Sequence, residues 1–508
     1  MDTTVSTRNG RLRGRTTDGV SAFLGVSYAA PPVGPRRLRP PQPVEPWAGV
    51  RGATELGPEP PQPQFDPADA SGLVFDPAVP GDDCLNLNVW TPAPGATGLP
   101  VMVWSPGGSF HFSSGGSYDG SRFARDGVVC VTFNWRTGAD GFLYLGDGDD
   151  GANLGLLDQV AALSWVRENI AAFGGDPDRV TIFGESAGAM SIGVLLSIPR
   201  AEGLFRRAAL QSGAAHHVIA ADDAARIGAR FAEILGVPAS REALAAVPVD
   251  RFLEAQGQVD AEVLSSPDPG RWGPEVVAST MPFHPVVDGD VVPAEPIQRI
   301  AAGAAADVDV LVGTNSDDWR MFPVLGGFID QVTDEVLTAP VERYGSWTLA
   351  AFGLPAETAL PAYRIAHPGA SPGDLLADVL TDWWVRVPAV RLADAHAPAR
   401  AGTFMYEFAW ASPAFGGRLG ACHALEIPFV FDTLDLGRGQ MLGGALGDDA
   451  PQELADSMHA AWVRFAAEGD PGWPRYDLER RCVMRLGLES AVVEDPYARE
   501  RDLWAGVR

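Results

Sequence analysis

Hydrophobic and polar positions change their rhythm several times along the chain. Over residues 11–30, "RLRGRTTDGVSAFLGVSYAA", short β-rich pieces flank a Thr-Asp-Gly turn, which predicts an antiparallel hairpin or meander. Residues 57–83 follow a different rule, with many prolines and few periodic apolar positions, so neither a helix nor a central strand fits. A long surface loop is expected there, either a lid or a tolerated linker. From Leu99 onward come short apolar runs, "LPVMVW" and "GVVCVTFNW", that predict buried strands. Leu156, Val160, Leu163, Val166, Ile170 and Phe173 then recur at helical spacing, and Gly174-Gly175 supplies the stop. After the turn "DPDR", residues 180–183 read as a short buried strand and "AMSIGVLLSI" as the helix behind it. Further strands are expected at 208–211, 308–313 and 403–408, and mainly helical insertions near 218–275 and 329–400. Strands alternating with helices predict an α/β fold with a large, mostly parallel central sheet flanked by helices. No internal repeat or boundary divides it, so residues 1–508 are read as a single domain with an N-terminal β-meander and helical and loop insertions.

Composition narrows the chemistry. The formal charge is −27 and the isoelectric point near 4.6, which opposes nucleic acid and anionic membranes as partners. All 38 basic residues are arginine, so lysine Schiff-base and lysine-nucleophile chemistry are excluded. The four cysteines, Cys84, Cys130, Cys422 and Cys482, lie far apart with no zinc-type spacing, and neither a structural metal nor a disulfide framework is expected. No apolar leader precedes the first strand and no later run approaches the ~20 apolar residues that cross a bilayer. A cytoplasmic location is the expectation.

The pattern Gly-x-Ser-x-Gly occurs twice, around Ser186 and around Ser371. A nucleophile elbow needs a strand ending in a sharp turn with a helix immediately behind it, so that the serine oxygen projects from the carboxyl edge of the sheet. Ser186 has that context. Ser371 instead precedes Pro372 and "GDLLADVL", the signature of a helix N-cap with proline at N1. A serine hydroxyl needs a base within reach and a carboxylate to orient that base. Of the eight histidines, His423 in "GACHALEIPFVF" follows a strand and lies after the nucleophile in chain order. His216 and His217 sit beside the "LQSG" strand end and are candidates for a pocket wall. His111, His284, His367, His396 and His459 carry no catalytic signal. The strand in "VDVLVGTNSDDWRMF" leads into Asp317 and Asp318, either of which is a candidate acid or a helix cap.

Taken together, "FLGVSYAAPPVGPRRLRPPQPVEPW", "DDCLNLNVWTP", "NLGLLDQVAALSWVRENIAAFGGDPDRVTIFGESAGA", "GLFRRAALQSG", "PVVDGDVVP" and "HALEIPFVF" make the chain resemble the type B carboxylesterases over nearly its whole length. This family includes para-nitrobenzyl esterases, liver carboxylesterases and cholinesterases. The resemblance implies an α/β-hydrolase fold and a serine esterase that forms an acyl-enzyme with no metal or organic cofactor. It assigns Ser186 as nucleophile, His423 as base and Asp318 as acid, with Asp317 the fallback. It places the oxyanion donors at Gly108, Ser109 and Ala187, with Gly107, Phe110, Glu185 and Ser212 around the site or its pocket. Two departures from the family pattern stand out. Asp318-Trp319 replaces the usual Glu-Gly, and Pro106-Gly107-Gly108-Ser109-Phe110 replaces His-Gly-Gly-Gly-Phe. Proline lacks an N–H but falls outside the donor set, and Ser109 keeps its own. The hole is therefore expected to function, reshaped by the Ser109 side chain.

Glu185 either biases the pocket toward positive or neutral groups or makes structural hydrogen bonds at the elbow. Ser212 either supports the triad or merely ends a strand. Phe110, Phe112 and Trp319 are candidates for an aromatic pocket lining. Cys84, whose counterpart in secreted relatives pairs with an earlier cysteine, has none here, which suits a reducing compartment. The expected substrate is a small aryl or alkyl ester. Carbamate or amide hydrolysis by the same residues is the alternative, and a catalytically silent binding protein on the same fold is the rival from another class. Monomeric and homo-oligomeric states both fit the sequence.

Overall fold

The computed structural model describes residues 2–63, 79–146, 151–436, 443–447 and 449–507, so most of the proline-rich stretch expected as a long surface loop, lid or linker, lies outside the described residues. The strands, in chain order, are β1 (Asp2–Ser6), β2 (Arg11–Thr17), β3 (Val20–Ser27), β4 (Val50–Gly52), β5 (Asn86–Thr91), β6 (Leu99–Ser105), β7 (Val129–Phe133), β8 (Gly175–Glu185), β9 (Arg207–Gln211), β10 (Ile219–Ala220), β11 (Val286–Val287), β12 (Asp309–Asn315), β13 (Thr403–Phe408), β14 (Cys482–Leu486) and β15 (Ala491–Glu494). Thirteen form one sheet in the order β1-β2-β3-β5-β7-β6-β8-β9-β12-β13-β14-β15, with β4 on β2, while β10 and β11 pair separately. The first three strands form the antiparallel meander, and β7 through β14 run parallel.

The central strands are covered on both faces, which is why they read as unbroken apolar runs. In β6 the period of two divides the side chains between two cores, Val101 and Val103 into one and Met102 and Trp104 into the other. Val310 and Val312 of β12 join the first core and Leu311 the second. On the N-terminal side, β2 alternates exposed and buried positions, as a half-covered strand should.

The helix predicted from 156 to 173 spans Leu154–Asn169, with a 3-10 turn at Ile170–Phe173. Beyond it, β8 starts earlier than expected. Gly175 already pairs with Leu99, the next pair is Val101 with Val180, and residues between them bulge out. The "DPDR" turn is thus an interruption inside a strand. Ser371 caps the helix Pro372–Thr381 through a capping box with Asp374, the role its local sequence predicts. The insertions are largely helical, including Ala221–Leu235, Val249–Ser265, Ala356–Ala366 and Val387–His396.

Chain order around β6 places the site. The chain leaves β6 for β7 on one side and returns to β8 on the other, so the crevice at the carboxyl ends of β6 and β8 is a topological switch point. Ser105 at the end of β6 pairs with Gly184 near the end of β8. The glycine-rich loop and Ser186 must therefore emerge side by side.

Candidate active site

Ser186 sits between β8 and the helix Ala187–Leu195 with φ 54° and ψ −125°, a region that costs a non-glycine residue on the order of 1–3 kcal/mol. Two backbone bonds hold it there, from its N–H to Gln211 O (2.9 Å) and from the Met190 N–H to its own carbonyl (2.8 Å). The flanking glycines are required by contact. A Cβ on Gly184 would stand 2.5 Å from the Ser105 carbonyl oxygen and one on Gly188 only 2.0 Å from it. Larger residues would push the elbow off β6.

The loop after β12 brings Asp318 to His423. Asp318 is buried, and its Oδ1 lies 2.5 Å from His423 Nδ1. Its Oδ2 accepts hydrogen bonds from Ser212 Oγ (2.7 Å) and the Asn315 N–H (2.9 Å), and its carbonyl accepts from the His423 N–H (2.8 Å). Ser212 therefore braces Asp318. Asp317 points elsewhere, its Oδ2 accepting from Ser316 Oγ (2.9 Å) and the Ala421 N–H (3.0 Å), so the fallback acid fastens the loop instead of touching the imidazole.

The other face of the imidazole meets Glu185, with Nε2 3.0 Å from Oε1. Glu185 is 3% exposed, so of its two expected roles, pocket charge or structural contact at the elbow, the structure shows a buried contact with His423. Burial pushes its carboxyl up to about 8, against the opposing charge of His423. For His423 burial alone would lower the pKa, but the carboxylates of Glu185 and Asp318 outweigh it and raise it to about 9. Among the described residues Ser186 Oγ makes no hydrogen bond. In resting enzymes such contacts are often long and tighten only with substrate bound.

The loop after β6 runs alongside. A Cβ on Gly107 would lie 3.1 Å from Ser186 Cβ and 2.7 Å from the Glu185 carbonyl oxygen, so only glycine fits. Gly108, Ser109 and Phe110 all have positive φ, at 125°, 53° and 59°. The Gly108 carbonyl accepts from the N–H groups of His111 (2.9 Å) and Phe112 (3.1 Å). Because a trans peptide points its C=O and N–H in opposite directions, the Ser109 N–H faces away from that turn. Among the described residues, the N–H groups of Gly108, Ser109 and Ala187 donate to no protein acceptor. They are available to an oxyanion.

Phe110 does not line a pocket. It is fully buried, edge-on to Trp135 and Phe142 at 5.9 and 5.2 Å, because its positive φ turns the ring inward. Trp319 is half-buried, stacked on Trp384 at 4.2 Å, and with Phe322 it flanks the His423 ring at 6.0 and 5.5 Å. Trp384 lies in a π-turn, Asp382–Arg386. Its carbonyl is 2.9 Å from His217 Nε2, so His217 is engaged in packing.

Sequence reasoning missed Glu426. It is fully buried, Oε1 accepting from Gln211 Nε2 (3.1 Å) and Oε2 from Asn315 Nδ2 (2.6 Å), and burial raises its pKa. An acid inside the apolar run "ALEIPFVF" was the available signal.

Known proteins resemble the chain over nearly its whole length. Residues 1–504 match the Carboxylesterase family. The chain is 37% identical to a para-nitrobenzyl esterase of Bacillus subtilis over 98% of this chain and 97% of that protein. It is 36% identical to a phenmedipham hydrolase of Pseudarthrobacter oxydans, with 97% of each covered. A crystal structure of a Geobacillus stearothermophilus carboxylesterase superposes with a TM-score of 0.83 at 38% identity, covering 99% of this chain and 100% of that one. The chain belongs to the carboxylesterase family, with the α/β-hydrolase fold, and is a serine hydrolase of carboxylic esters.

Proposed function

We propose that Ser186, His423 and Asp318 carry this hydrolysis, with Gly108, Ser109 and Ala187 as the oxyanion donors. Ser186 Oγ attacks the ester carbonyl and passes its proton to His423 Nε2. The π pair moves to the carbonyl oxygen, which the three N–H groups receive. Collapse expels the alcohol, protonated by His423, and leaves an acyl-Ser186. Water, activated by the same imidazole, releases the acid and restores the serine. Asp318, braced by Ser212 and Asn315, fixes the Nδ1–H tautomer and stabilises the imidazolium. No step calls for a metal or organic cofactor.

What supports this reading is the line Ser212, Asp318, His423, which ends on Glu185, the residue that precedes the strained Ser186 at the switch point of the sheet. Small aryl or alkyl esters are the proposed substrates, supported by the aromatic rings of Trp319 and Phe322 beside the base and by the para-nitrobenzyl esterase relative. A reducing, cytoplasmic setting is proposed as well, supported by four free, buried cysteines. No helix among the described residues is long and apolar enough to cross a membrane.

The test is pre-steady-state kinetics on an activated aryl ester, followed by a panel of esters, carbamates and amides varied separately in acyl and alcohol size. A phenol burst stoichiometric with enzyme, lost in Ser186→Ala, and a preference for esters are expected. A higher kcat/KM for carbamates or amides would replace the proposed substrate class, and full activity in Ser186→Ala would remove the mechanism.

A further inference from the structure

His111 follows the oxyanion loop and reaches back into it. Its backbone N–H donates to the Gly108 carbonyl (2.9 Å), and its Nδ1 lies 2.9 Å from the Ser109 carbonyl oxygen. These two carbonyls belong to the peptide planes on either side of Ser109. One residue thus fixes both planes, and with them the φ of 53° that turns the Ser109 N–H outward. Left-handed backbone costs a non-glycine residue roughly 1–2 kcal/mol, so Ser109 would relax if released.

The far end of the ring is anchored outside the loop. His111 Nε2 is 3.0 Å from Oδ1 of Asp260, on the inserted helix Val249–Ser265. One turn earlier, on the same face, Gln256 Oε1 accepts from the Ala139 N–H (2.9 Å), beside Gly138, whose N–H donates to the Phe110 carbonyl (2.5 Å). The helix therefore holds the loop directly at His111 and, one turn earlier, holds Ala139, whose neighbour Gly138 is bonded to the loop at Phe110.

The chemistry of the partners sets the protonation state. A carbonyl oxygen and a carboxylate oxygen both accept, so both ring nitrogens must donate, and a neutral ring would turn a lone pair toward one of them. Burial works against the charge, but the hydrogen bond and charge of Asp260 outweigh it and raise the His111 pKa.

We infer that His111 is a positioning residue for the oxyanion hole, its imidazolium acting as a strut that ties the Ser109 carbonyl to Asp260 and holds the Ser109 N–H at the reacting carbonyl. This rests on the proposed oxyanion donors. The strut acts on the tetrahedral state, where charge develops on oxygen, and hardly on ground-state binding.

The experiment measures kcat, KM and inhibition by an aryl trifluoromethyl ketone in His111→Phe, Asp260→Ala and Asp260→Asn. The ketone forms a hemiketal with Ser186, its carbonyl pair moving to an oxygen that occupies the hole and the serine proton passing to His423. Loss of a whole oxyanion donor costs about a hundredfold to a thousandfold. His111→Phe should lower kcat and weaken the ketone in parallel by about 10- to 100-fold, with KM within about twofold. Asp260→Ala should do the same to a smaller degree. Asp260→Asn should recover most of that loss, because the amide can donate to a neutral Nε2 while Nδ1–H keeps the Ser109 carbonyl.

Parent-like kcat and ketone affinity in His111→Phe would overturn the strut. Should that variant fail to fold, parent-like values in Asp260→Ala would do so. A rise in KM alone would equally contradict it, since that marks lost ground-state binding. Ser186→Ala keeps the two readings apart. If it still turns over ester, the proposed site itself is wrong; if it is inactive while His111→Phe is normal, only the strut falls.

Discussion

At the scale of single residues, the site confines one imidazole among the buried carboxyl groups of Asp318, Glu185 and Glu426. With neutral His423 as the proposed base, kcat/KM should rise with pH through its ionisation. Its pKa is raised, so this limb should lie above the ordinary histidine range. Glu185→Gln removes one of the three carboxylates that raise it and should move the limb to lower pH, leaving more neutral imidazole near neutrality. A pH–rate profile between about pH 5 and 10 checks this, and an unmoved limb would show that Glu185 does not act on the base. The two neighbouring acids should separate sharply. Asp318→Asn forfeits the Nδ1–H tautomer and should lower kcat by about 10⁴-fold, whereas Asp317→Asn should stay within about tenfold of the parent. Steady-state kinetics on one aryl ester decides between them, and the reverse order would transfer the acid role to Asp317.

At the scale of elements, the elbow was legible because everything it needs is local. An apolar strand, two glycines that must clear the Ser105 carbonyl, and a buried helix all lie within 175–195. The Ser371 cap was legible for the same reason. What stayed hidden depends on which loops meet at the carboxyl edge of the sheet. The contact of Glu185 with His423 joins β8 to a loop after β13, Glu426 joins that loop to β9 and β12, and His111 meets an inserted helix almost 150 positions away. No spacing in the sequence announces such meetings. Likewise Phe110 looked like a pocket residue until its positive φ turned it into the core. The Ser109 departure makes its own prediction at this scale. With the φ already set, Ser109→Gly relieves strain of roughly 1–2 kcal/mol but adds no donor, so kcat should change less than about tenfold. A gain of orders of magnitude across several esters would mean that the serine had crippled the hole.

At the scale of the whole molecule, the sheet is tied to its first long helix by a buried ion pair. Arg136, just past β7, reaches Asp158 of the helix Leu154–Asn169 through Nε and Nη2, each at 2.7 Å, and through its backbone N–H at 3.1 Å. Both side chains are essentially buried, at 3% and 0% exposed. Asp158→Ala strands a buried guanidinium and should cost about 3–5 kcal/mol, read as a lower urea midpoint. A midpoint unchanged from the parent would show that water reaches the arginine.

If Ser186 is the hydroxyl poised for attack, covalent capture should single it out. The enzyme is treated with a small organophosphate, digested, and the adduct located by tandem mass spectrometry. One phosphoryl group per chain is expected, on Ser186, with activity lost in proportion to labelling and no adduct in Ser186→Ala. An adduct on another residue, or complete loss of activity with Ser186 unmodified, would contradict it.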